Sequence, residues 1–86
     1  MGSVRSEQVS SIEKIIDKMK NQPNGIKFSE IERILNYMDF YETRQKGSHK
    51  RFKNNNTNET LTLPVQNPLK SVYIKQILKL LGDETK

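Results

Sequence analysis

The spacing of apolar residues changes period along this chain, and that change restricts its architecture more than any other feature. Val9, Ile12, Ile15, Ile16 and Met19 recur three and four positions apart, as do Ile31, Ile34, Leu35 and Met38, and later Tyr73, Ile74, Ile77, Leu78 and Leu81. Each set predicts a helix with one buried stripe. Between the second and third sets the period falls to two: Leu61, Leu63 and Val65 alternate with Thr60 and Thr62, as in a half-buried strand. Phe40 to Gln45 is aromatic and β-branched for its length. Gly47-Ser48 reads as a two-residue turn into a second strand, His49 to Lys53. Ser6 is placed to cap the first helix, Pro23 and Gly25 end it, and Ser29 with Glu32 spells a capping box for the second. Gly82 stops the last helix, and Pro64 marks an edge strand or a strand end.

The predicted order is therefore α-α-β-β-β-α, an α+β fold with a three-stranded antiparallel sheet and helices on one face. A single domain is expected over 1–86: a disordered tail at 1–5, an additional amino-terminal helix at 6–20 and a core at 27–82. With 86 residues of which 33% are hydrophobic, the chain can build one small core and no second domain. Its longest apolar run, Val72-Tyr73-Ile74, is three residues, so no membrane-spanning helix and no membrane partner are expected. The absence of cysteine excludes disulfides and thiolate zinc sites, and a cytoplasmic setting is expected.

The net charge of +5 is concentrated. Arg44, Lys46, Lys50, Arg51 and Lys53 fall within ten residues that hold no acid, while the other 76 residues carry ten basic and ten acidic side chains and balance. The only histidine, His49, lies inside that basic run. Strand alternation puts His49, Arg51 and Lys53 on one face and Lys50 and Phe52 on the other. If Phe52 packs inward, His49 points out from the wet side of the sheet. A cation cluster around one titratable group suits a polyanion such as a nucleic-acid backbone. Asp39, Glu42 and Glu59 fall on different elements without ligand spacing, so neither a metal nor another cofactor is expected. Tyr41 and Tyr73 read as core or rim residues in preference to base-stacking platforms.

These residues carry a family resemblance. Arg44-Gln45-Lys46-Gly47-Ser48-His49, the strand end Leu63-Pro64-Val65 and the closing segment Tyr73-Ile74-Lys75-Gln76-Ile77-Leu78 stand at the separations found in the HicA (YcfA-like) family, toxins of bacterial toxin-antitoxin pairs. From about Ile12 to Leu81 the chain resembles that family. The resemblance implies a fold similar to double-stranded RNA-binding domains, cleavage of mRNA, and inhibition by a HicB-type antitoxin that covers His49. It implies a catalytic role for His49, with Gly47 and Ser48 forming the turn that presents it. Arg44, Lys46, Gly47, Ser48, Lys50, Arg51 and Lys53 are then the candidate substrate-binding residues. Two positions depart from the pattern: Gln66 stands where many members have a second histidine, and Asp39 where many have glycine.

Metal-free RNA cleavage needs the 2′-hydroxyl deprotonated, charge stabilised on the phosphoryl oxygens, and a proton for the departing 5′ oxygen. One imidazole serves one of the two proton steps, and arginine forks suit the phosphoryl oxygens. Two other functions fit the same residues: a non-catalytic RNA-binding module, and a protein-interaction domain whose basic face meets an acidic partner.

Overall fold

A computed structural model describes the backbone of residues 3–82 and the side chains of residues 11–82. Its elements are α1 (Ser3–Asn21), α2 (Phe28–Tyr37), β1 (Phe40–Lys46), β2 (His49–Asn54), β3 (Thr60–Pro64) and α3 (Ser71–Leu80). The strands form one antiparallel sheet in the order β1-β2-β3. This is the α+β order that the apolar periods predict.

The helical stripes pack as their spacing requires. Ile12, Ile15 and Met19 from α1, Ile31, Ile34 and Leu35 from α2, and Ile74 and Ile77 from α3 are buried against Phe40, Phe52, Leu61 and Leu63 of the sheet. Burying one such side chain contributes roughly 1.5–3 kcal/mol, whereas an exposed ion pair contributes about 0–1 kcal/mol, so the stripes hold the fold and the surface charges are free for other work. The α1 backbone is helical from Ser3, three residues before the expected start, and Ser6 lies inside the helix instead of capping it. No glycine or proline falls between Ser3 and Asn21 to interrupt it. Of the expected disordered tail, only Met1 and Gly2 lie outside the described residues, as does the side chain of Val9.

Helix α2 corrects the predicted capping box. It opens at Phe28, one residue before Ser29, because Phe28 is pulled into the core and its N–H finds an acceptor far along the chain, Asn67 Oδ1 at 2.9 Å. Glu30, not Glu32, reaches back to accept the Lys27 N–H at 2.9 Å, and also meets Lys18 Nζ at 3.2 Å. Glu32 is thereby left for β2.

The β1–β2 turn is Gly47-Ser48, with Lys46 directly opposite His49. Gly47 has φ +60° and Ser48 does not have positive φ, the pattern of a type II′ hairpin. A side-chain carbon at Gly47 would meet nothing within 4 Å, so the glycine answers to backbone conformation and not to crowding. In β1 the pairing skips Thr43: Glu42 faces Phe52 and Arg44 faces Arg51, a β-bulge. The 55–59 connector hangs on Asn54, a buried polar side chain. Its Nδ2 donates to the Met38 carbonyl at 2.9 Å, and its Oδ1 accepts from the N–H groups of Asn56 and Thr57 at 2.7 and 3.0 Å. Pro64 is the last residue of an edge strand, and Gly82, at φ +77°, follows α3, as the sequence indicates. Among the described residues no helix is long and apolar enough to cross a membrane.

Candidate functional site

Directly paired residues of antiparallel strands share a face, so the register sorts the basic run. Phe52 is buried and faces Leu61 on the helix side. On the opposite, outer face stand Lys46 beside His49, Arg44 beside Arg51, Tyr41 beside Lys53, and Thr62 and Thr60 of β3 beside Arg51 and Lys53. His49 is exposed there, as alternation predicts. It heads β2, flanked by Lys46 on one side and Pro64 on the other. The Val65 N–H donates to the Ser48 carbonyl at 2.6 Å and ties the turn to the end of β3.

Arg44, Lys46, His49, Arg51 and Thr62 line an open depression of about 470 Å³. No acidic residue lines it, and none of the four outward cations, Arg44, Lys46, Arg51 and Lys53, is ion-paired among the described residues. Facing Arg44 with Arg51 across a ladder is unfavourable in itself, since like charges directly opposite destabilise a sheet. Strand alternation counted from Phe40 would have sent Arg44 and Lys46 to the helix side with Glu42. The bulge at Thr43 brings them out beside His49, and the Thr43 hydroxyl donates to the Arg51 carbonyl at 3.3 Å.

Lys50 is not brought to the site. It lies on the helix side, with Nζ 2.8 Å from Glu32 and 3.4 Å from Glu42 and 5.6 Å from the centre of the Phe28 ring. Its hydrogen bond to Glu32 holds its ammonium above the ordinary lysine value despite the opposing effect of burial. Lys50, expected among the substrate-binding residues, instead joins α2 to the hairpin on the side away from the depression. Gly47 and Ser48 form the turn at the rim of the depression. Gln66, the position of the missing second histidine, has a buried Oε1 without a hydrogen-bond partner.

Tyr73 packs against the core, while Tyr41, one residue after the buried Phe40, turns away from the helices and is 44% exposed on the outer face. Among the described residues no three His, Cys, Asp or Glu side chains are grouped to hold a metal ion.

Residues 28–82 match a family model described as the HicA toxin of bacterial toxin-antitoxin pairs. No curated protein and no solved structure matches the chain. The matched stretch runs from α2 to Gly82 and contains the whole outer face; α1 precedes it.

Proposed function

Because the chain belongs to the HicA toxin family, whose members are the toxins of toxin-antitoxin pairs, we propose that it is a metal-independent endoribonuclease that cuts mRNA in the cytoplasm, with His49 as general acid or base. One observation carries this reading: the sole imidazole stands exposed in a depression whose cations have no carboxylate partners among the described residues. Unneutralised like charges held side by side are a standing cost that a phosphate backbone removes on binding.

The RNA lies along the outer face with the scissile phosphate in the depression. Neutral His49 takes the proton of the 2′-hydroxyl as that oxygen attacks the adjacent phosphorus. The new O2′–P bond forms as the P–O5′ bond breaks, leaving a 2′,3′-cyclic phosphate and a 5′ oxygen that takes a proton from solvent, to which the face is open. Arg44 and Arg51 present guanidinium forks to the non-bridging oxygens, where charge accumulates in the transition state. Lys46 and Lys53 act as point charges on flanking phosphates. Gly47 and Ser48 hold the imidazole at the rim. The family's antitoxin partner is, on this reading, HicB-type and inhibits by covering His49.

The test is His49→Ala. General acid or base help is worth roughly 10²–10⁴ in rate, so cleavage of a labelled RNA should fall by about that factor while RNA binding stays within a few fold of the parent. Growth arrest on expression should disappear with it. A variant that cuts as fast as the parent removes His49 from the chemistry, and a parent that binds RNA but never cuts it leaves only a binding module.

A further inference from the structure

Among the described residues, Tyr41 is the one large aromatic side chain on the outer face that the cleavage chemistry leaves without a role. It is 44% exposed, stands directly opposite Lys53, and shares its face with Arg44, Arg51, Lys46 and His49. At about 3.3 Å per strand residue, the Tyr41–Lys53 pair lies roughly 13 Å from His49 along the hairpin. We propose that Tyr41 is a base-stacking platform: the substrate is a single-stranded stretch of RNA laid along the hairpin, with its scissile phosphate at His49 and a flanking base stacked on the Tyr41 ring.

This inference rests on the ribonuclease reading and adds the form of the substrate to it. A duplex keeps its bases stacked on one another and offers a protein mainly phosphates, 2′-hydroxyls and shape, so an exposed aromatic ring gains little from it. A single strand presents free base faces, and proteins that hold one combine a basic track with aromatic rings. The outer face has that composition: the basic residues along β1 and β2 follow the backbone, and one ring stands at the end of the track with a lysine beside it. Its remaining polar groups, Thr60 and Thr62, form no array that could read one particular sequence. The track should therefore tolerate many sequences while demanding an unpaired strand.

Tyr37 supplies an internal control. It is 54% exposed at the end of α2, away from the outer face, so the two tyrosines differ in position more than in accessibility. The chain has no tryptophan and three tyrosines, so its intrinsic emission is tyrosine emission and a base stacked on Tyr41 should quench part of it.

The experiment measures binding of a labelled single-stranded RNA and of the matching duplex by fluorescence anisotropy, in the full-length His49→Ala chain so that nothing is cut. Onto it are placed Tyr41→Ala, Tyr41→Phe, Tyr41→Leu and Tyr37→Ala, each checked for native circular dichroism. Loss of one aromatic platform should weaken single-strand binding on the order of 5- to 150-fold. Tyr41→Phe should bind like the unsubstituted background, Tyr41→Leu should lose affinity as Tyr41→Ala does, and Tyr37→Ala should change nothing. The duplex should bind more weakly and be indifferent to position 41. Should Tyr41→Ala unfold, the Phe and Leu pair still separates a π face from mere bulk. Equal binding by the Phe and Leu variants, or a duplex preferred over the single strand, overturns the inference while His49-dependent cleavage by the parent stands. A parent that binds neither form of RNA overturns both.

Discussion

Asp39 and Gly47 both stand in the left-handed region, at φ 70° and 60°, yet only one of them is glycine. The residue departure noted at Asp39 thus has a backbone meaning: glycine suits that position because the chain turns there from α2 into β1. Aspartate tolerates the conformation better than most residues, and its side chain accepts a hydrogen bond from Asn56 Nδ2 at 2.9 Å. That bond is exposed, and a left-handed residue other than glycine costs up to about 1–2 kcal/mol. Asp39→Gly should therefore leave stability unchanged or raise it by up to about 1 kcal/mol, whereas Asp39→Val should lower it by about 2 kcal/mol, both read from urea midpoints. A midpoint that falls for the glycine variant would show that the Asn56 contact outweighs the backbone. Which side chains reach the outer face was partly legible at this scale. His49, Arg51 and Lys53 follow from a buried Phe52, but Tyr41 needed the burial of Phe40 and Arg44 and Lys46 needed the bulge.

At the scale of elements, the helices and strands could be read because a buried face repeats at a local period, and local periods are written in consecutive residues. The joints could not. Helix α2 is capped by Asn67, 39 positions away, and Lys50 joins α2 to the hairpin through Glu32 and Glu42. No neighbouring residue announces either contact. These joints titrate in predictable directions. The hydrogen bond that Lys50 donates to Glu32 raises its ammonium above the ordinary 10.5, so the stabilisation is whole below that pH and is lost as pH rises through the higher folded value. For Glu30, burial pushes the carboxyl up, but the Lys27 N–H and Lys18 outweigh it and hold the group below its ordinary 4.5. Its contribution is therefore present above 4.5 and disappears as pH falls through the lower folded value. Urea midpoints of the parent and Lys50→Met should differ by a constant amount across neutral pH and converge as pH rises through the raised folded value, and those of the parent and Glu30→Gln should converge as pH falls through the lowered one. A Lys50→Met gap that stays constant into strong alkali would show that the variant reports packing on Phe28 and not the ion pairs.

Over the whole molecule, the family match begins at Phe28 but the core begins at Ile12. Ile12, Ile15 and Met19 of α1 are buried, Met19 completely. Together they are worth roughly 5–9 kcal/mol, a large part of the 5–15 kcal/mol that holds a typical domain. A chain shortened to residues 27–86 should lose its cooperative urea transition and bind a hydrophobic dye, while a shortened chain with the parent's midpoint would make α1 an ornament. Composition alone does not reveal how completely this stripe is enclosed. The unpaired residue in β1 has a consequence for comparing whole proteins of this lineage. A relative lacking a counterpart of Thr43 would present the same outer surface, its gap merely straightening the ladder, whereas an alignment that counts alternation from Phe40 without the gap would put two of the guanidinium and ammonium groups on the wrong side of the molecule.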